Sequence, residues 1–234
     1  DRSAAASDVD KRQFMTFEDK TILVTGAGRG IGKAAAIKFA ELGGRLVVSD
    51  VNTRNLEDTR RELESLGQKC FLYQLDVTDL NQIENMVDFV KSELGSVDIL
   101  FNNAGISYPV KVEDLTEEMW DRVLEVNLKS RFLMAKYSIP EMRNRGGGVI
   151  ISTASVQGQQ SANLVPAYAA TKGGDLSLTR QMALDYAQDN ISVLSVCPGG
   201  VDTPLWRESI INSDVSIEDA IANSGKTHPI GRLG

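Results

Sequence analysis

Short runs rich in β-branched residues alternate with longer amphipathic segments from Lys20 onward, and this alternation limits what the chain can fold into. It is typical of a parallel sheet whose two faces are covered by helices, because parallel strands need long crossover connections. The sequence therefore predicts one doubly wound α/β domain. The predicted strands are residues 21–25, 45–50, 69–75, 97–102, 148–153 and 191–197, and the predicted helices are residues 31–43, 54–66, 79–94, 116–143 and 166–189.

Length and composition agree with a single folded domain. Of 234 residues, 42% are hydrophobic and 24% are charged, which fits neither a disordered chain nor a disulfide scaffold. Residues 1–14 are small, polar and aperiodic, and we interpret them as a tail or an appended remnant outside a domain of residues 15–234. Residues 200–230 lack clear periodicity around Trp206, so we predict a functional or mobile loop there.

Charge and rare residues exclude several classes of function. The net charge is −7 without a long basic run, which argues against nucleic acid or an anionic membrane as partner. No apolar run is long enough to span a membrane, and no signal-peptide pattern is present, so we expect a cytoplasmic protein. Cys70 and Cys197 lie in separate apolar runs, which predicts buried thiols in a reducing compartment. With His228 as the one histidine, we expect neither a Ser-His-Asp triad nor a metal site.

A glycine-rich turn follows the first predicted strand and leads directly into an alanine-rich helix. The residues are Thr25-Gly26-Ala27-Gly28-Arg29-Gly30-Ile31-Gly32. Glycines let the backbone turn sharply and approach a pyrophosphate, while a helix N-terminus offers free N–H groups and the positive end of its dipole. Glycine-rich turns also occur for steric reasons alone, and the strand before and helix after favour a phosphate site.

Asp50 ends the second predicted strand about twenty residues after the glycines, where an acidic side chain can accept hydrogen bonds from an adenosine ribose. A turn or helix-capping aspartate is the alternative. Asp50 favours NAD over NADP, because a 2′-phosphate would meet a like charge. Arg29 indicates the opposite, since its guanidinium can pair with that phosphate. We give Asp50 the greater weight.

Two further segments end predicted strands at the carboxyl edge of the sheet, where open α/β folds bind ligands. Asp76-Val77 follows the third strand, and Asn102-Asn103-Ala104-Gly105 closes the fourth. Small residues there let a cofactor lie flat, although Asn, Asp and Gly are also common in ordinary turns.

A tyrosine and a lysine, Tyr168 and Lys172, stand at positions i and i+4 of one predicted helix and therefore share a face. That spacing alone occurs on many solvated helices. Two more polar residues strengthen a catalytic interpretation: Ser155 lies just past a strand end, and Asn127 lies inside the preceding long helix.

Taken in order, these residues resemble the short-chain dehydrogenase/reductase family. The resemblance spans nearly the whole chain from residue 20 and is carried by Thr25-Gly26-x-x-x-Gly30-x-Gly32, Asn102-Asn103-Ala104-Gly105, Asn127, Ser155, Tyr168-x-x-x-Lys172 and Pro198-Gly199. It implies a Rossmann-like sheet of order 3-2-1-4-5-6, hydride transfer between a secondary alcohol and NAD, and no metal.

The resemblance also implies roles for individual residues. Tyr168 exchanges the proton with the substrate oxygen, which Ser155 hydrogen-bonds, and Asn127 positions a water in a proton relay. Because a phenol ionises near pH ~10, a phenolate base needs a nearby cation, and Lys172 would be that cation while also holding the ribose. Implied cofactor contacts are Gly26, Arg29, Gly30, Ile31, Gly32, Asp50, Asp76, Val77, Asn103, Ala104, Gly105, Tyr168, Lys172, Pro198, Gly199, Val201 and Thr203.

The chain departs from the family pattern in two places. Leu194 stands where the family usually has Asn, which affects a local backbone contact. The chain also ends at Gly234, where relatives generally continue through a helix and a seventh strand. We therefore expect the natural protein to continue and the sixth strand to be an exposed edge.

The substrate remains open between two chemistries. Gln157 and its polar neighbours near Ser155 favour a small polar alcohol such as a sugar or polyol, including a sugar hemiacetal oxidised to a lactone. Trp206 and Leu205 favour instead a hydroxysteroid or 3-oxoacyl substrate under an apolar lid at residues 200–230. A non-catalytic dinucleotide-binding scaffold is a further alternative, which the complete set of catalytic residues makes the weaker one.

Self-association into a homodimer or homotetramer is a further expectation. The helices predicted at 116–143 and 166–189 carry apolar residues that packing on the sheet need not use. These residues are Met134, Ala135, Tyr137, Leu178, Met182 and Tyr186.

Overall fold

Six parallel strands form the central sheet of the computed structural model, which describes residues 16–210 and 215–234. Their order is β3-β2-β1-β4-β5-β6, as predicted, with the crossover between β1 and β4 at its centre. The strands are β1 (Thr21–Thr25), β2 (Arg45–Asp50), β3 (Cys70–Gln74), β4 (Ile99–Asn102), β5 (Gly148–Thr153) and β6 (Ile191–Val196). The predicted tail, residues 1–14, lies outside the described residues.

Eight α-helices flank this sheet in the described part of the chain. They are α1 (Gly30–Glu41), α2 (Thr53–Ser65), α3 (Leu80–Leu94), α4 (Glu117–Leu124), α5 (Ser130–Asn144), α6 (Pro166–Asp185), α7 (Pro204–Ile210) and α8 (Ile217–Lys226). A π-helical segment, Glu125–Lys129, joins α4 to α5, so the predicted helix 116–143 is one rod with an irregular turn inside it.

The segment 200–230, predicted to be a loop, contains the two short helices α7 and α8, and this prediction is corrected. The pattern was hard to see because α7 has only seven residues, about two turns, which is too short to show a helical period. The start of α8 is fixed locally, since the Ser216 hydroxyl accepts the Asp219 N–H at 3.1 Å.

β1 lies at the centre of the sheet and is buried along its whole length. It pairs with β2 on one side and β4 on the other, so alternate residues of β1 face two separate cores. Leu23 belongs to the core beneath α3, α5 and α6, whereas Ile22 and Val24 belong to the core beneath α1 and α2. This central position places the glycine-rich turn, which follows β1, at the middle of the carboxyl edge of the sheet.

β6 forms one edge of the described sheet, as the sequence predicts. Leu194 and Val196 on this strand are 54% and 43% exposed, whereas Ile191 and Val193 are buried. Side chains alternate along a strand, so one row of β6 packs on the core and the other faces outward. No helix in residues 16–210 and 215–234 is long and apolar enough to cross a membrane.

The apolar residues expected to mediate self-association pack inside the domain. Met134, Ala135 and Met182 are buried in the core beneath α5 and α6, and Tyr137, Leu178 and Tyr186 pack against that core. The sequence cannot distinguish these residues from a surface stripe because both follow the helical period. The large apolar side chains that α5 and α6 do expose are Phe132 and Leu184.

Candidate active site

The glycine-rich turn is packed directly against the end of β4. Gly26 has φ +62°, and a Cβ there would lie 2.7 Å from the Ala104 Cα. A Cβ on Gly32 would lie 2.2 Å from the Gly26 carbonyl oxygen and 2.4 Å from the Asn103 Nδ2. Both glycines are therefore required by close backbone approach, which is the arrangement that a bound dinucleotide needs.

The first turn of α1 fits a diphosphate. Arg29 occupies the N-cap position without a side-chain cap, and the first turn carries no acidic residue. The leading N–H groups of Gly30, Ile31 and Gly32 have no intrahelical acceptor, and the dipole adds positive potential at that end. The predicted contacts from these residues thus agree with the local chemistry.

Asp50 and Arg29 have separate partners in the structure. The Asp50 carboxylate accepts the Gly28 N–H at 3.0 Å and the Asn52 N–H at 2.9 Å, so it is fixed beneath the glycine turn. The Arg29 guanidinium forms a two-pronged ion pair with Glu208 of α7, in which Nη2 lies 3.0 Å from Oε2. Asp50 therefore holds the turn from the strand side, and Arg29 connects it to α7.

Hydrogen bonds connect the turn after β1 to β4 and β5. The Thr25 hydroxyl oxygen accepts the N–H groups of Asn103 and Ala104 at 3.0 and 3.2 Å. The Asn103 amide donates to the Gly26 carbonyl at 3.0 Å and accepts the Thr153 hydroxyl at 3.1 Å. The structure thus brings Asn103, Ala104 and Gly26 together.

Asp76 and Val77 follow β3 further along the same edge. Asp76 accepts hydrogen bonds from the Thr78 N–H and hydroxyl at 2.9 and 2.7 Å, and from Arg122 of α4 at 3.1 Å. Partial burial opposes ionisation of Asp76, but these bonds outweigh it and lower its pKa. Val77 is buried, and the hydrogen bonds hold the Asp76 carboxylate in place beside it, so both predicted cofactor contacts lie at this edge of the sheet.

Asn127 lies in the π-helical segment and is fully buried. Its amide exchanges two hydrogen bonds with Ile106, accepting from the N–H at 2.9 Å and donating to the carbonyl at 2.8 Å. It also lies 3.4 Å from the hydroxyl of Thr171 on α6. π-helical turns often accompany functional sites, and this one points Asn127 between the Gly105 loop and the helix that carries Tyr168.

Ser155, Tyr168 and Lys172 come together where β5 ends against α6. The Ser155 hydroxyl accepts the Gln157 N–H at 3.2 Å and lies close enough to the Tyr168 phenol to lower its pKa. The Lys172 ammonium lies 5.2 Å from the Tyr168 ring centroid and donates to the Thr153 carbonyl. A Cβ on Gly158 would lie 2.7 Å from the Lys172 carbonyl, so the turn after Ser155 packs directly on α6.

Burial sets the ionisation of both catalytic candidates. It raises the pKa of the Tyr168 phenol, whereas the nearby Ser155 hydroxyl and the charge of Arg131 lower it. It also lowers the pKa of Lys172 to about 7, and the positive charge of Arg131 acts in the same direction. The buried charge of Arg131 thus acts on the phenol in addition to the cation expected of Lys172, whose ammonium lies 5.2 Å from the ring centroid.

The segment after β6 lies over the start of α1. The Pro198 carbonyl accepts the Val156 N–H at 3.2 Å, and a Cβ on Gly30 would lie 3.5 Å from the Thr203 Cβ. Thr203 also caps α7 by accepting the Trp206 N–H at 3.2 Å. Of the other predicted contacts, Gly199 packs on the His228 ring, and Val201 is half-buried beside Gly234.

Residues that the sequence interpretation missed support this site. His228 accepts the Gly200 N–H at 2.8 Å and contacts the Ser224 carbonyl through Nδ1 at 2.8 Å, which connects α8 to the Pro198–Val201 segment. Asp175 is three residues after Lys172 on α6, and this helical spacing was the available signal. Glu208 gives no signal in sequence, because its pairing with Arg29 depends on the tertiary fold.

Comparisons with known proteins agree with this geometry. The family model for short chain dehydrogenases matches residues 20–213. A cyclohexanol dehydrogenase of Acinetobacter sp. (strain SE19) is 38% identical over 227 residues, covering 97% of this chain and 86% of the relative. The 7α-hydroxysteroid dehydrogenase of Escherichia coli (strain K12) is 35% identical over 220 residues, covering 94% and 84% respectively.

Solved structures give the same result. A variant of actinorhodin polyketide ketoreductase, solved with NADPH, superposes with a TM-score of 0.88 at 34% identity, covering 94% of this chain and 87% of that one. The fold and the site thus define an oxidoreductase of the dinucleotide-binding α/β class. Within that class, the chain belongs to the short-chain dehydrogenase family, whose members bind a nicotinamide dinucleotide.

The contact between Gly32 and the Gly26 carbonyl predicts that Gly32→Ala weakens dinucleotide binding by at least about tenfold, because the added methyl forces the turn to move. NADH fluorescence titration and thermal unfolding provide the measurement. Gly173→Ala is the matched control, since a Cβ there meets only the Gly158 carbonyl at an ordinary 3.6 Å. Equal affinities of the two variants would contradict the steric argument.

Proposed function

We propose that this protein is an NAD(H)-dependent oxidoreductase that interconverts a secondary alcohol and a ketone, or a sugar hemiacetal and a lactone. The observation that carries the proposal is the convergence of Ser155, Tyr168 and Lys172 beside the glycine-rich turn. A scaffold that only binds dinucleotide would not need this set of residues in contact.

Each catalytic candidate has a chemical role in this proposal. Ser155 accepts a backbone N–H, which leaves its own hydrogen free to donate to the substrate oxygen or to the phenol. Tyr168 transfers the proton to or from the alcohol oxygen. A bound nicotinamide dinucleotide supplies the hydride acceptor or donor. Lys172 holds the cofactor ribose and aids the phenolate, and Asn127 orders the Ile106 backbone for a water relay.

A preference for NAD over NADP is supported by two contacts. The two Asp50 oxygens each accept one backbone N–H and retain lone pairs for a ribose hydroxyl, while their charge opposes a 2′-phosphate. The guanidinium of Arg29 is already paired with Glu208 and directed toward α7. A related ketoreductase of the same fold was solved with NADPH, so the proposed preference for NAD depends on these side chains and not on the fold.

A small polar substrate, such as a sugar or polyol, is favoured by Gln157. Its side-chain oxygen is buried next to Ser155 and has no hydrogen-bond partner among the described residues. A substrate hydroxyl would satisfy that acceptor. The helices α7 and α8, with half-buried Trp206 and Leu205, are proposed as the substrate lid.

A hydroxysteroid or 3-oxoacyl reductase is the second candidate. It is favoured by the apolar side chains of α7 and by the similarity to the 7α-hydroxysteroid dehydrogenase. The similarity to cyclohexanol dehydrogenase is consistent with a small ring alcohol and with either candidate.

A panel of sugars, polyols, cyclic alcohols and hydroxysteroids, assayed by NADH absorbance, tests the proposed substrate class. We expect turnover of a polar alcohol, and Gln157→Leu should raise its KM while Gln160→Leu, at an exposed neighbouring position, should not. Exclusive turnover of hydroxysteroids or 3-oxoacyl thioesters would select the second candidate.

Tyr168→Phe should lower kcat by about 10²- to 10⁴-fold, the usual contribution of a general acid–base group, with nearly unchanged dinucleotide affinity. The ring still packs, and only the exchangeable proton is lost. Lys172→Met should reduce both kcat and dinucleotide affinity. Steady-state kinetics and calorimetric titration separate the two effects, and substantial activity in Tyr168→Phe would exclude the assigned role.

Asp50→Ala should lower the ratio of NAD to NADP affinity by at least about tenfold, because it removes a ribose acceptor and a charge that repels the 2′-phosphate. Glu208→Gln should tighten NADP binding by releasing Arg29. Glu57→Gln, at an exposed carboxylate on α2, is the control. Calorimetry with both cofactors provides the measurement, and tighter binding of NADP than NAD by the natural sequence would reverse the proposal.

We also propose that the protein self-associates through α5 and α6, now on the basis of Phe132 and Leu184, which are 49% and 77% exposed. Sedimentation at micromolar concentration should show a dimer or tetramer, and Phe132→Ser with Leu184→Ser should dissociate it. Leu66→Ser, at a similarly exposed residue just after the end of α2, serves as control. A monomeric natural protein would refute the proposal.

The free cysteines Cys70 and Cys197 support a cytoplasmic location.

A further inference from the structure

A fully buried ion pair lies behind the catalytic candidates. Arg131 on α5 and Asp175 on α6 expose 1% and 0% of their side chains, and Arg131 Nε lies 3.8 Å from Asp175 Oδ2. That separation is too long for a hydrogen bond, so the attraction is between the charges themselves. Neither Asp175 oxygen nor Arg131 Nε has a hydrogen-bond partner among the described residues.

Such a pair is a poor source of stability. Taking two charges out of water is costly, and the attraction compensates only when further hydrogen bonds satisfy the remaining donors and lone pairs. This pair lacks most of them, and an apolar pair of similar volume would fill the space at lower cost. Its position beside the active site provides a different reason for its presence.

The pair connects the cofactor loop to the catalytic helix. Asp175 follows Lys172 by three residues and Tyr168 by seven, so all three share one face of α6. Arg131 follows Asn127 by one turn and donates through Nη2 to the Ala104 carbonyl at 2.8 Å. One guanidinium therefore contacts the loop that carries Asn103 and Gly105 and faces the helix that carries the base.

We propose that Arg131 and Asp175 are positioning residues for this reaction: Arg131 supplies the buried positive charge that favours the Tyr168 phenolate, and Asp175 holds that charge in place. The inference rests on the proposed function, because it assigns the pair to the same proton transfer. It adds two residues that the sequence analysis did not name and that no proposed substrate contact includes.

The groups facing Tyr168 and Lys172 support this assignment. Arg131 lowers the pKa of Tyr168 and of Lys172, whereas Asp175 raises both pKa values. At each of the two groups the effect of Arg131 is the larger. The remaining influences on these two groups are burial, the Ser155 hydroxyl near Tyr168 and Cys197 near Lys172. Removing either member of the pair should therefore move both ionisations, in opposite directions for the two members.

Lys172 provides the direct readout because its pKa is about 7, where no other lysine side chain is expected to titrate. The experiment follows lysine 13Cε resonances in NMR titrations, with the Lys172 signal assigned by its loss in Lys172→Met. It uses the whole protein and needs neither cofactor nor substrate. The midpoint should fall by about one pH unit in Asp175→Asn and rise by about one in Arg131→Met.

Two further variants keep the test independent of folding defects. Arg131→Met combined with Asp175→Leu replaces the pair by apolar residues of similar volume, and its midpoint should lie between those of the natural sequence and Arg131→Met. Arg131→Lys retains the charge, so its midpoint should stay near the natural value. Asp185→Asn, at an exposed position of the same helix, is the control that should not shift it.

A second measurement reports the contact with the cofactor loop. Both variants that contain Arg131→Met lose the bond to the Ala104 carbonyl and should bind NAD several-fold more weakly, whereas Asp175→Asn should not, since it keeps the donor. An unchanged Lys172 midpoint in Arg131→Met and in the double variant would overturn the inference. Absence of turnover on every tested alcohol would refute the proposed function while leaving the Lys172 shifts measurable.

Discussion

The close approach of the glycine turn to the end of β4 is the contact on which the rest of the site depends. Because Gly26 lies against Ala104, the start of α1 and the Asn103–Gly105 loop face the same space. The Asn103 amide then reaches Thr153, whose carbonyl receives the Lys172 ammonium. The close packing of Gly26 and Gly32 thus fixes the distance between the proposed diphosphate site at the start of α1 and the proposed proton-transfer site at Tyr168.

Several titratable side chains share a small buried volume of the site, and their charges must balance one another there. Lys172, Arg131 and Asp175 are all at least nine-tenths buried, and Tyr168 is half-buried. When Lys172 and Arg131 are protonated and Asp175 is ionised, one positive charge remains unmatched, and a Tyr168 phenolate neutralises it. When Lys172 is neutral, the same interior is balanced with a neutral phenol. The ionisations of the tyrosine and the lysine are therefore coupled through the interior charge.

The sequence predicts most of the scaffold because the strands depend on local composition. All six predicted strands are present, and their bounds differ by at most two residues, as at 97–102 against Ile99–Asn102. The glycine turn and the Tyr168–Lys172 spacing carry the site in the same local way. Arg131 could not be predicted, since a charged residue in a helix is ordinarily solvated and only tertiary packing buries it. The partner of Arg29 on α7 is hidden for the same reason.

The π-helical segment at Glu125–Lys129 has a consequence for the whole rod formed by α4 and α5. Its wider turn holds an extra residue, and each residue of an α-helix advances the helical face by about 100°. The segment therefore absorbs this residue, so α4 and α5 present nearly the faces that an even helix one residue shorter would present. Loss of one residue from the regular turns of α4 or α5 has a larger effect, because it turns the two sides of the deletion by about 100° relative to each other. The rod thus tolerates a change of residue count at this segment better than elsewhere along its length.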